Sequence, residues 1–262
     1  MASLAEPLPV ARSDHRFFMI SAILMALTIV AGFSTQLAMG RSSFSAPLLL
    51  HAHAVVFMGW VVLYVLQTLF ATTGQVALHR RLGWIGAVWV VAMLVLGCAV
   101  TVAVARRGAV PFFFRPAEFL IFDPMTLFAF AGLTAAAVIL RRRTDWHRRL
   151  HLCGMTILLG PAFGRLLPMP LLQPLAFEAA FVAPMIFPVA GAIADVRRSG
   201  RVHPAWWWGI GSMLVLLMAI ELLTHSALGN AIYAAVTAGS PGAALDPQGY
   251  RPPPSGPLIT GR

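Results

Sequence analysis

Seven apolar stretches follow one another along the chain, separated by short segments that are rich in arginine. A helix needs about 20 apolar residues to cross the hydrocarbon core of a membrane, so each stretch predicts one transmembrane helix. The predicted spans lie near residues 17–39, 47–73, 84–105, 121–140, 152–172, 174–194 and 205–228. The pattern predicts an all-α, polytopic membrane helix bundle with about seven transmembrane helices.

Proline and glycine positions suggest where this bundle is interrupted and where it ends. The prolines at 161, 168, 170 and 174 end or kink helices, so the boundary between the fifth and sixth spans is the least defined. The last part of the chain is rich in proline and glycine, which is typical of a flexible segment. We therefore predict a cytoplasmic segment at 1–16, a bundle at 17–229 and a flexible tail at 230–262.

The composition agrees with a membrane protein and narrows its class. Hydrophobic residues make up 59% of the chain and charged residues only 11%, whereas soluble domains average about 25% charged residues. All 19 basic residues are arginine, which excludes a lysine Schiff base of the retinal type. The net charge of +10 does not indicate nucleic acid as a partner, because the arginines lie between apolar stretches, where they set topology.

The distribution of arginine predicts the orientation of the chain. With the N-terminus inside, 12 arginines lie in inner segments and 7 in outer segments. Positive charge concentrates on the cytoplasmic side of membrane proteins, so we expect the N-terminus inside. A lysine-free, arginine-rich composition is typical of GC-rich bacteria, and we expect the bacterial inner membrane as the location.

Two histidines open the second predicted helix. His51 and His53 are two residues apart, so on a helix they point in nearly opposite directions. Helical steps from His53 reach Trp60, Tyr64 and Gln67, whereas steps from His51 reach only apolar residues. We predict that His53 faces the bundle and that His51 lies at the level of the lipid headgroups.

A first candidate site lies at the predicted outer face. Glu221 and His225 are four residues apart and share a face of the last helix, and Glu178 and Arg165 fall at similar depth. Together with His53 they form a possible metal-binding cluster, since ionisable groups within a membrane are functional candidates. The alternative is an Arg–Glu pair that neutralises buried charge, with histidines at the interface.

A second candidate site lies at the predicted inner face. His79 precedes the third helix, and His147 and His151 are four apart at the start of the fifth helix. Small residues on one side of the third helix allow close packing or leave room for a flat cofactor; these are Gly83, Gly86 and Gly97. The alternative is a set of topology-setting arginines with incidental histidines.

Imidazole pairs from different helices favour haem b as a cofactor. In this hypothesis His79 and His151 are the inner axial ligands, with His147 as a substitute, and His53 and His225 are the outer pair. Arginines near the inner histidines could pair with the haem propionates; these are Arg80, Arg148 and Arg149. Two haems stacked across the bilayer would conduct electrons through the membrane, to or from a redox partner.

Two further functions stay open from the sequence. An outer zinc ion bound by His53, Glu221 and His225, with Glu178 nearby, would activate water for hydrolysis, in the manner of seven-helix zinc lipid amidases. Alternatively, the polar residues only fix helix packing, and the chain is a scaffold or an assembly subunit of a larger membrane complex.

Several short motifs carry a resemblance to a known family. The histidine that opens the second helix, Gln67, "HRRLGW" at 79–84, "HRRLHL" at 147–152 and the following Arg165 cover roughly residues 47–167. This arrangement resembles an uncharacterised family of predicted bacterial multi-pass membrane proteins with a His-Arg-x-x-Gly motif. Where that family has an aromatic pair after the motif, this chain has Trp84 and Ile85. The layout is similar in architecture to cytochrome b561-like haem proteins.

Overall fold

A computed structural model of the protein describes residues 9–42, 44–254 and 256, and these form an all-α helix bundle. Ten α-helices follow one another along the chain, joined by turns and by short 3-10 segments. The helices are α1 (Pro9–Ala38), α2 (Leu48–Thr72), α3 (Val76–Arg106), α4 (Pro116–Ile139), α5 (Thr144–Ile157), α6 (Gly160–Leu166), α7 (Ala176–Val182), α8 (Ile186–Ser199), α9 (Pro204–Thr224) and α10 (Ala227–Thr237).

Six helical stretches in the described part are long and apolar enough to cross a membrane. They are Asp14–Ala38, Leu48–Thr72, Val76–Arg106, Pro116–Ile139, Ala176–Ser199 and Pro204–Thr224. The all-α membrane bundle is therefore confirmed. The predicted cytoplasmic segment at 1–16 lies partly outside the described residues, and from Pro9 onward it already belongs to α1.

The predicted fifth span is an interrupted helix. Proline lacks an N–H and its ring clashes with the carbonyl four residues earlier, so Pro161 ends α5 at Ile157 and opens α6 as a second, shorter helix. The α5–α6 pair runs alongside α1: Arg148 pairs with Asp14 near the start of α1, and the carbonyl of Arg165 accepts a bond of 3.4 Å from Gln36 near its end. The pair thus extends along most of α1.

Helix directions alternate, so the bundle has two distinct ends. The N-terminal end is the one where α1, α3, α5 and α9 begin, and the C-terminal end is the opposite one. Asp195 of α8 joins three helices at the N-terminal end: it accepts bonds of 2.8 and 2.9 Å from Arg149 of α5 and one of 2.8 Å from the indole of Trp206 on α9. Arg198 links Asp195 to Asp14 of α1 at 2.8 and 2.9 Å.

Much of the chain after α9, which the sequence predicts as a flexible tail, packs against the bundle in the described residues. Residues 227–237 form α10, and the segment that follows crosses the C-terminal end of the bundle as a strap. Gln248 donates to the carbonyl of Thr224 at 2.7 Å, and Tyr250 donates to that of Pro174 at 3.0 Å. Burial raises the pKa of the Tyr250 hydroxyl, which keeps it protonated as a donor. Proline and glycine in this part of the tail therefore shape a packed loop.

Close approach of α5 and α9 depends on a glycine. The side of α9 at Gly209 lies directly against Cys153 of α5, so an added Cβ would collide with the sulfur. We expect Gly209→Ala to lower the free energy of unfolding by about 1–3 kcal/mol through overpacking, measured as a lower melting temperature in detergent. Gly211→Ala is the matched control, because open space surrounds Gly211; equal effects of the two changes would contradict this packing.

Candidate functional site

Three histidine rings lie in contact at the N-terminal end of the bundle, and we call them the histidine cluster. The ring centroids of His79 and His147 are 6.0 Å apart with planes at 89°, and those of His147 and His151 are 5.6 Å apart at 79°. His79 comes from α3 and the other two come from successive turns of α5. The structure thus brings together the three predicted inner histidines, with His147 in contact with both others.

Backbone carbonyls hold two of these rings by one nitrogen. The Nδ1 of His147 lies 2.7 Å from the carbonyl oxygen of Ala137, and the Nδ1 of His79 lies 3.2 Å from that of Gln67. A carbonyl can only accept, so Nδ1–H donates in each case, and Nε2 of a neutral ring keeps its lone pair. This is the arrangement in which proteins orient histidines that ligate metals.

Buried polar atoms without hydrogen-bond partners lie within and beside the histidine cluster. The Nδ1 of His151, the indole nitrogen of Trp60 and the amide oxygen of Gln67 are buried and make no hydrogen bond. Trp60 and Tyr64 lie against the His151 ring, with centroids 6.2 and 5.8 Å away. Buried polar groups are normally paired, so several unpaired atoms in one place indicate a site for water or a ligand.

The glycine side of α3 faces this same region. Gly86 lies opposite the ring of Trp60, and Gly83 lies opposite the side-chain amide of Gln67. Farther along the helix, Leu127 of α4 fills the space at Gly97. The small residues therefore give close helix packing at one point and border the histidine cluster at two others.

Two of the three arginines predicted to meet haem propionates have other partners. Arg149 is 5% exposed and binds Asp195, and Arg148 binds Asp14. Arg80 is exposed beside the histidine cluster. Buried arginine requires a counter-charge, and the aspartates of α1 and α8 supply it, which sequence spacing did not indicate.

The predicted cluster at the opposite end divides into two separate groups. His225 ends α9 and contacts Glu221 of the same helix at 3.4 Å and Arg115 at 3.3 Å. Two more carboxylates, Glu118 and Glu178, lie within electrostatic range of Glu221.

His53 lies elsewhere, stacked on Phe57 with centroids 4.1 Å apart and close to Arg165. The structure therefore does not bring His53 together with His225, as an outer haem would require. Nor does any group of three or more His, Cys, Asp or Glu side chains in the described ranges have an arrangement that could hold a metal ion, so the predicted zinc set is not assembled.

The two faces of α2 follow the prediction from its sequence. Trp60 and Tyr64 are buried, whereas Val55 and Val62 on the opposite side are exposed. His51, by contrast, lies near the end of the helix and contacts the carbonyl of Phe44 at 3.1 Å. Its position at the helix end fits a place near the headgroups.

Two carboxylates of α4 were not predicted from the sequence as candidate site residues. Glu118 is 2% exposed, and Asp123 accepts a bond of 3.2 Å from Thr101 of α3. Both stand within the apolar run "PAEFLIFDPM", and an acidic residue in such a run is itself a signal of a functional or paired group.

Comparison with protein-family models, with curated proteins and with solved structures finds no match for this chain. The resemblance to the His-Arg-x-x-Gly family therefore stays a prediction from short motifs.

Proposed function

We propose that this chain is an integral membrane redox protein whose histidine cluster binds haem b. The observation that carries the proposal is the set of unpaired polar atoms around contacting histidines whose Nε2 atoms are left free by carbonyl anchors. Haem b needs two imidazole ligands and apolar or aromatic walls, and Trp60 and Tyr64 offer such walls. When bound, haem supplies reversible one-electron transfer.

His79 and His147 are the residues that would hold the haem in this proposal. Their ring centroids are 6.0 Å apart, and the carbonyl contact of each Nδ1 leaves each Nε2 free to bind. The pair first predicted, His79 and His151, is less suitable because His147 contacts both rings. In this proposal His151 lies beside the ligand pair. Arg80, which follows His79 directly in the sequence, is an exposed arginine.

The proposal also places the chain in the membrane. The six apolar spans and the interrupted α5–α6 pair together make seven passes, with the N-terminal end of the bundle in the cytoplasm of a bacterial inner membrane. Of the arginines in the described residues, twelve then lie on the cytoplasmic side and six on the other, in accord with the positive-inside rule. The histidine cluster would exchange electrons with a cytoplasmic partner.

The test is an absorption spectrum of the detergent-purified protein, oxidised and then reduced, with iron analysis of the same sample. The protein should be expressed in cells supplied with a haem precursor. We expect reduced haem bands and about one iron per chain. A colourless protein without iron would overturn the proposal and would favour a scaffold role instead.

A further inference from the structure

A second polar group lies in the C-terminal half of the bundle, and it centres on an arginine. Arg165 of α6 lies over the ring of Phe33 on α1, with 4.1 Å from its guanidinium carbon to the ring centroid. Guanidinium has five N–H donors, but within the described chain Arg165 donates one hydrogen bond, of 2.8 Å, to the carbonyl of Pro161 in its own helix. Most of its donors are therefore unused.

Packing brings two other ionisable groups to the same level of the bundle. His53 stacks on Phe57 of α2, and Phe57 meets Leu127, one turn from Asp123 of α4, at Gly97 of α3. Arg165 interacts electrostatically with both His53 and Asp123. Asp123 accepts a hydrogen bond from Thr101, yet no direct ion pair joins it to Arg165 within the described structure. An arginine and a carboxylate that attract one another without a direct hydrogen bond can be bridged by a third molecule. We call the group of Arg165, His53, Asp123 and Thr101 the Arg165 cluster.

His53 adds an unpaired nitrogen to this group. Its Nδ1 is buried without a hydrogen bond, while its ring stacks on Phe57. The Arg165 cluster thus presents a cationic donor, a carboxylate acceptor and a free ring nitrogen, with aromatic side chains on two sides.

The chemistry of the cluster limits what it can bind. An anion would fit the arginine but would be repelled by Asp123, and a metal ion would be repelled by Arg165. A neutral molecule with an oxygen acceptor and a flat ring satisfies all the groups: its oxygen accepts from Arg165 or His53, and as a hydroquinone its hydroxyl donates to Asp123. Val30 and Leu37, which lie about one turn before and after Phe33 on α1, are exposed and apolar, so that a lipid-soluble molecule has access from this helix.

We infer that the Arg165 cluster binds the ring of a lipid-soluble quinone. The role of this quinone as an electron carrier for the haem rests on the proposed function. Binding of the quinone at the Arg165 cluster does not. His53 and Trp60 are seven residues apart on α2, which corresponds to about 10 Å along the helix, and Trp60 contacts His151 of the histidine cluster. The Arg165 cluster and the histidine cluster are therefore separated by about two turns of α2.

The test is calorimetric titration of the purified full-length protein with a short-chain benzoquinone in detergent. We expect saturable binding that Arg165→Lys and His53→Ala each weaken about tenfold or more, the effect of losing a hydrogen bond to a charged or buried polar group. His51→Ala is the matched control, since His51 points to the other side of the same helix turn, where its ring contacts the Phe44 carbonyl. It should change the affinity less than twofold.

The outcomes separate this inference from the proposed function. Absence of saturable binding, or binding that His53→Ala and Arg165→Lys leave unchanged, would overturn the quinone site. His53→Ala remains informative if Arg165→Lys does not fold, because Nδ1 of His53 makes no hydrogen bond within the described structure and its loss breaks none. A colourless protein that binds quinone at these residues would support the site and refute the haem, whereas a haem protein without quinone binding would do the reverse.

Discussion

Replacing Asp195 by alanine is expected to lower the free energy of unfolding by about 3–5 kcal/mol, the cost of breaking a buried ion pair. The carboxylate is 3% exposed and accepts from Arg149, Arg198 and the indole of Trp206. Its loss leaves the Arg149 guanidinium and the Trp206 N–H buried with fewer partners. Thermal unfolding in detergent, followed by circular dichroism, measures the effect.

Arg197→Ala provides the control, because Arg197 is exposed and lies two residues along the same helix. A second comparison tests the mechanism: the double change Arg149→Met and Asp195→Leu removes both charges, and such apolar replacements are often neutral. The double variant should therefore be more stable than Asp195→Ala alone. If Asp195→Ala and Arg197→Ala melt at the same temperature, the carboxylate does not hold these helices together.

His147→Ala is expected to reduce bound haem to about a tenth of the wild-type amount or less, since even partners behind the ligands change metal affinity about 10–100-fold. His147 contacts both other histidines and is anchored to Ala137, so no neighbouring ring replaces it without rearrangement. The ratio of haem absorbance to protein in matched preparations gives the measurement.

His15→Ala is the control for this variant, as His15 is an exposed histidine at the same end of the bundle. It should retain the full haem content. Retention of haem in His147→Ala, together with its loss in His151→Ala, would return the ligand assignment to His79 and His151. Retention of haem in a triple variant with alanine at His79, His147 and His151 would place any haem outside the histidine cluster.

The sequence was most informative about which residues share a face of a single helix. On α2 the periodicity of 3.6 residues separates buried Trp60 from exposed Val62, and that separation follows from the chain alone. The same holds for His147 and His151, which share a face because they are four residues apart. Contacts within one helix need no knowledge of how helices are arranged.

Contacts between different helices could not be predicted from the periodicity of the sequence. Glu221 and His225 share a face of α9, but whether His53 joins them depends on which helices are neighbours. The described structure places His53 of α2 near Arg165 of α6, and it places Arg115 beside His225 instead. Likewise, spacing gave no indication that Asp14 and Asp195, distant in sequence, would be the partners of adjacent arginines.

The interruption of α5–α6 has a consequence for the order in which the bundle assembles during synthesis. A helix needs about 20 residues to cross a membrane, whereas α5 has 14 and α6 has 7, so each depends on contacts with other helices. Arg148 and Arg149 in the first turns of α5 make two of these contacts: Asp14 is synthesised before them, but Asp195 comes 46 residues after Arg149. The ion pairs that hold α5 in the bundle are therefore complete only after α8 has been synthesised.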